Sequence, residues 1–131
     1  MAPRLEGISP IVPVADEAAS IRFYVDVLGF ELRHHDAEKG YALLARDAAG
    51  LTLLGGADAA ALHATATNIS AYIWVKDLAA LWDELAPKLN TLPEGRLRAP
   101  FVQAYGMREF HVKDPDGFLI FFGEDADSEG A

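Results

Sequence analysis

The sequence predicts an α+β fold, two βαβββ modules forming a curved, cleft-bearing mixed sheet with helices on its outer face. Three observations carry that prediction. An apolar run closing on an aspartate occurs twice, as Ile11-Val12-Pro13-Val14-Ala15-Asp16 and, 61 residues later, as Tyr72-Ile73-Trp74-Val75-Lys76-Asp77. Each run leads into apolar residues at helical spacing. Strand-like segments broken by turn residues follow each helix. A repeat of about 60 residues present only twice is no solenoid, so two fused copies of one supersecondary module fit better.

The elements follow in order. Residues 11–14 read as a strand, and Asp16 is placed to accept hydrogen bonds from the free N–H groups of the next helix. Ile21, Tyr24, Val25 and Leu28 then give one buried stripe, and Gly29 supplies a left-handed end. Strands are expected at Phe30–His35, Tyr41–Arg46 and Leu51–Leu54, punctuated by Glu38-Lys39-Gly40 and by Asp47–Gly50. Gly55–Asn68, rich in alanine and turn formers, reads as a linker. In the second copy Leu78, Leu81, Trp82, Leu85 and Leu89 form the helical stripe, and Pro87 threatens its last turn. Pro87–Ala104, with three prolines, reads mostly as loop holding a weak strand at Arg96–Ala99. Met107–Lys113 and Phe118–Phe122 form the last hairpin around Asp114-Pro115-Asp116-Gly117. The chain is thus expected to be a single domain: module 1 at about 7–54, a linker at 55–68, module 2 at about 69–123 and an acidic tail at 124–131.

Composition narrows the function. The net charge of −9 lacks the basic stripe of a nucleic-acid binder. Four of the carboxylates, Glu124, Asp125, Asp127 and Glu129, fall in the tail, which reads as a solvated end. The remaining acidity favours a cationic ligand over an anionic one. No apolar run approaches the roughly 18–20 residues of a membrane span, and the N-terminus lacks the apolar stretch of a secretory signal. Without cysteine there is no disulfide and no thiolate metal site, as expected of a cytoplasmic protein. Nucleophile elbows, Walker loops and dinucleotide fingerprints are absent from the sequence.

The segments PVADEAASIRFYVDVLGFEL (13–32) and YGMREFHVKDPDGFLIFFGE (105–124) resemble the glyoxalase/bleomycin-resistance/dioxygenase (vicinal oxygen chelate) superfamily, from about residue 7 to residue 124. SAYIWVKDL and YGMREFHVKDPDG are most similar to its bleomycin-resistance branch. Metal-dependent members place His, Gln or Glu at four cleft-facing strand positions. Carried over by motif, these fall near Ser9, Leu53, Ser70 and Phe121. Leucine and phenylalanine offer no lone pair and neutral serine hydroxyls are poor ligands, so the expectation is a chain without metal or other cofactor.

The resemblance implies a binding protein more than an enzyme: one that sequesters a bleomycin-type or other planar cationic antibiotic and leaves it unchanged. The sequence also admits a glyoxalase-like isomerase or epimerase working through a non-standard site, or a binder of an unrelated metabolite. If Ser70 occupies an old ligand position, alternation places Tyr72 and Trp74 on the same cleft-facing side. Tyr41 matches a groove-lining aromatic of the branch, and Tyr105 stands where relatives carry tryptophan. Such rings suit planar ligands by stacking and cations by quadrupole attraction. His111, ten residues before Phe121, matches a pocket-facing acid/base position of dioxygenases and reads here as a hydrogen-bonding lining residue. His34 and His35 are adjacent on a strand and cannot chelate one ion together, so one is expected exposed and the other half-buried, with His34 near the ligand. His63 reads as solvated. The resemblance further implies a homodimer in which the N-terminal strand is exchanged, with Pro10 as the pivot and the cleft built from both chains.

Overall fold

The computed structural model describes residues 2–127 and divides into two compact units between Ala57 and Asp58. In the first unit β1 (Ile11–Pro13) leads through Asp16 into α1 (Glu17–Asp26), then β2 (Glu31–Asp36), β3 (Tyr41–Arg46) and β4 (Ala49–Leu54). Asp16 caps α1 as expected, its carboxylate accepting from the amides of Ala18 and Ala19. Gly29 takes φ +75°, which lets the Phe30 amide turn back to the Tyr24 carbonyl at 2.9 Å. The strands form one sheet in the order β1-β4-β3-β2, with β1 and β4 parallel and the other pairs antiparallel. Val12, Ala42, Leu44, Leu51 and Leu53 lie buried with Phe23, Tyr24 and Leu28.

The second unit begins with a helix in the stretch read as linker. α2 (Ala59–Asn68) opens on Asp58, whose carboxylate accepts from the Ala61 amide at 2.8 Å. Its run of alanines favours helix intrinsically, and only Thr65 among its residues is buried, so no apolar stripe advertised it. β5 (Ser70–Trp74), α3 (Leu78–Leu89), β6 (Leu97–Val102), β7 (Met107–Lys113) and β8 (Leu119–Asp125) complete the copy, in the sheet order β5-β8-β7-β6. Again the first and last strands of the module pair in parallel. Phe110 stacks on Phe122 with centroids 4.8 Å apart, and Trp82 of α3 meets Phe110 at 5.2 Å.

Three further expectations change. α3 continues through Pro87 to Leu89. A proline this near the helix end forfeits a single backbone bond, and the buried side chains of Leu85 and Leu89 hold the last turn in place. The proline-rich stretch holds a strand longer than the weak one expected, and its register with β7 shifts between Arg98 and Phe101. Pro100 is tolerated in this interval because β6 is the edge strand. Glu124 and Asp125 belong to β8 and not to a solvated tail, and Glu124 accepts the Leu78 amide at 2.9 Å, closing the start of α3. Glu129, read as part of that tail, lies outside the described residues. Asp114 behaves as a turn former: its buried carboxylate takes the amides of Asp116 and Phe118, and Gly117 sits at φ +92°.

Candidate functional site

Strand alternation sorts the second sheet into two faces. Ile73, Phe110, Val112, Ile120 and Phe122 point to the core, and Tyr72, Trp74, Glu109, His111 and Phe121 share the opposite side. On that side Tyr72 pairs with Phe121 and Phe121 with His111, while Trp74 pairs with Gly123 and Gly123 with Glu109. The rings form a continuous ladder. Trp74 lies 4.8 Å from Tyr72, Tyr72 stacks on Phe121 at 5.7 Å, Phe121 meets His111 at 4.2 Å, and His111 meets Phe101 edge-on at 5.0 Å. At the β6 end the Arg98 guanidinium carbon sits 3.5 Å from the Phe101 ring centroid. Trp74 and Tyr105 are the most open of these rings, 74% and 62% exposed.

A buried acid organises the ladder. Glu109 is fully buried in the middle of β7. One carboxylate oxygen accepts from Tyr72 Oη at 2.8 Å and from Tyr105 Oη. The other accepts Gln103 Nε2 at 3.0 Å and His111 Nε2 at 2.7 Å. A carboxylate has about four lone-pair sites, and here all four are met. Burial alone would push this acid up. The donors Tyr105, His111, Gln103 and Tyr72 together outweigh it and bring the acid from 4.5 down to about 2. The partners move the other way: burial first, then the bond to Glu109, pushes the Tyr72 phenol up, and the bond to Glu109 chiefly raises Tyr105. An ionised carboxylate only accepts, so His111 presents Nε2–H to it, and that nitrogen is not a free base.

Gly123 makes the geometry possible. The Tyr72 side chain crosses over it to reach Glu109, and a Cβ on residue 123 would lie 1.9 Å from the phenol oxygen. Any side chain there would expel the tyrosine. Neither Gly123, Gln103 nor Glu109 stands out in the sequence by composition. The available signal was parity: Glu109 lies two residues before His111, on the same face of its strand.

The remaining predicted residues sort by unit. Ser70 is exposed at the start of β5, paired with Leu119. In the first unit the half-buried Tyr41 reaches His34 at 3.4 Å, and their rings lie 5.6 Å apart. His34 is exposed and His35 half-buried, its Nε2 without a partner, while His63 is exposed on α2. Pro10 immediately precedes β1, and its carbonyl accepts the Thr52 amide at 2.9 Å. Leu53 does not face the open side. It pairs with Val12 and is buried in the core, so the ligand position carried over by motif was one residue off, and Thr52 stands there, 2.8 Å from Ser9 across a hydroxyl pair. A one-residue slip moves a side chain to the other face of a sheet. The corrected set still does not suit a divalent ion. Ser9 with Thr52 in the first unit and Ser70 with Phe121 in the second offer neutral hydroxyls and a hydrocarbon ring. Among the described residues no three His, Asp or Glu converge as a metal site would require.

Comparison with known proteins fits this architecture. A bleomycin resistance protein of Geobacillus stearothermophilus is 32% identical over 126 residues, covering 86% of this chain and 92% of its own. The bleomycin-binding protein of the bleomycin producer Streptomyces verticillus, solved with copper(II)-bleomycin, matches with a TM-score of 0.73 at 30% identity, covering 93% of this chain and 97% of its own. A second bleomycin-binding protein, solved with bleomycin, matches with a TM-score of 0.70 at 25% identity, covering 89% and 96%. The family model for the Glyoxalase/Bleomycin resistance protein/Dioxygenase superfamily matches residues 7–122, nearly the whole chain, and to that superfamily the protein belongs.

Proposed function

We propose that this protein binds and sequesters a planar, cationic antibiotic of the bleomycin type and leaves it chemically unchanged. The observation that carries the reading is the aromatic ladder on the second sheet, with Trp74 and Tyr105 open to solvent beside Tyr72, Phe121 and His111. Flat, electron-rich rings stack on planar heteroaromatics and attract cations, and the bleomycin resistance and bleomycin-binding relatives support that ligand class. Ser70 at the start of β5 is a further ligand contact in this reading, and Tyr41 with His34 is proposed as a ligand contact of the first unit taken by itself. Protection would come from lowering the free drug, so affinity and protein abundance set its extent.

Titration with bleomycin tests the proposal. Saturable binding should quench Trp74 emission more than that of Trp82, which packs on the core ring of Phe110. Trp74→Ala should cost about 1–3 kcal/mol of binding, the scale of a lost aromatic contact with cation–π character. Recovery of bleomycin in altered form would favour an enzyme, and an absence of saturable binding would remove this drug as the ligand.

The same reading takes the protein as a cytoplasmic homodimer that exchanges its N-terminal segment about Pro10. Leu5 and Ile8 in that segment are 99% and 88% exposed, large apolar side chains that a partner chain would cover. Light scattering over a dilution series should give twice the monomer mass at micromolar concentration, and a monomer there would refute the exchange.

A further inference from the structure

The hub of the second sheet is a charge, and the mechanism of ring stacking does not need one. A neutral amide, with two lone pairs on its single oxygen, could have met no more than two of these donors, and ring stacking by itself would have needed no acceptor at all. Instead an ionised acid sits fully buried among the hydroxyls of Tyr72 and Tyr105, the imidazole of His111 and the amide of Gln103. Gly123 is held without a side chain so that one of those hydroxyls can arrive. A phenol donating to a carboxylate is polarised toward phenolate, which enriches its ring in electrons. A buried charge is also screened far less by salt than an exposed one. The face already shows its affinity for a positive group at the opposite end, where Arg98 lies over Phe101.

We infer that Glu109 is the specificity-determining residue of this face: its negative charge, delivered through Tyr72 and Tyr105, makes the ladder select cationic over neutral planar ligands. Glu109 touches no ligand in this scheme and acts through the rings it holds. The inference rests on the proposed binding of planar ligands by that face and adds the origin of the charge preference.

A matched pair of probes tests it: N-methylacridinium, a permanent cation, and acridine, its neutral counterpart at pH 8. Wild type should bind the cation more tightly. Glu109→Gln keeps the size and removes the charge, so affinity for N-methylacridinium should fall by about tenfold while affinity for acridine stays within about twofold, the scale expected for one charge acting across a partly screened distance. Glu109→Asp keeps the charge and shortens the reach. It should preserve the ratio. Tyr72→Phe keeps a ring and cuts one of the two relays. It should lower the ratio severalfold, and it carries the test if the glutamine variant does not fold. Asp83→Asn, on the exposed side of α3, changes net charge equally and should leave the ratio unchanged. Equal losses for both probes in Glu109→Gln, a lost ratio in Glu109→Asp, or an equal effect from Asp83→Asn would overturn the inference while leaving the binding face in place. Failure of wild type to bind either probe would overturn both the inference and the reading beneath it.

Discussion

The two sheets share one register and differ in what they put on it. In the first unit Pro13, Leu54 and Tyr41 lie side by side across three strands, and in the second Trp74, Gly123 and Glu109 occupy the same places. The neighbouring row is Ile11, Thr52 and Leu43 in one and Tyr72, Phe121 and His111 in the other. On the core side the rows stay apolar in both, Val12, Leu53 and Ala42 against Ile73, Phe122 and Phe110. The buried face is constrained by the need to exclude water, so it repeats. The open face is not, so it is free to acquire chemistry. A single exchange, glycine for leucine at the place shared by Leu54 and Gly123, gives the second unit room for a tyrosine to reach a buried acid.

Forcing the second unit to resemble the first should have the largest effect. Gly123→Leu puts a side chain where the Tyr72 hydroxyl lies, and overpacking together with the lost charged hydrogen bond should cost about 3–5 kcal/mol in urea unfolding. The reciprocal Leu54→Gly, at a half-exposed site, should cost about 1–2 kcal/mol, mainly as backbone freedom and partial burial of the leucine. Equal costs in the two units would break the comparison.

Acid titration separates the units next. Glu109 is held at about 2 in the folded chain against 4.5 ordinarily. Its contribution to stability is therefore present in full above pH 4.5 and is lost as pH falls from there toward 2. The Tm difference between wild type and Glu109→Gln should be greatest near neutral pH and should shrink between pH 4.5 and 2. A difference independent of pH over that window would show that the carboxylate's charge contributes nothing. Tyr41→Phe, at the place equivalent to Glu109, should give no such pH dependence.

The smallest contrast is between two hydroxyls. Tyr72→Phe removes a donor from a buried ionised acceptor and should cost about 1.5–3 kcal/mol. Tyr41→Phe removes a 3.4 Å contact with the exposed His34 and should change stability by less than about 0.5 kcal/mol. Thermal unfolding of the two variants measures both. A Tyr41 effect matching that of Tyr72 would show that the first unit carries a hub of its own.

Sequence alone determined the repeat, the aspartate caps and the buried stripes, because hydrophobic periodicity and helix capping are local and leave their mark at fixed spacing. Alternation, which depends only on parity, also placed Tyr72 and Trp74 on one side of their strand, and the family resemblance implied that His111 and Phe121 face the same cleft. Tertiary structure decided what lies across from what. The helix at Ala59–Asn68 escaped notice because it carries almost no buried stripe, and Leu53 fell on the wrong face because a single residue of register reverses a strand. Glu109 became the centre of the site only when β5, β7 and the loop between β6 and β7 brought Tyr72, His111, Gln103 and Tyr105 to one carboxylate. His111, Tyr105 and Gln103 lie within six residues of Glu109 along the chain, but Tyr72 lies 37 away, and its arrival depends on strand order, register and the missing side chain of Gly123.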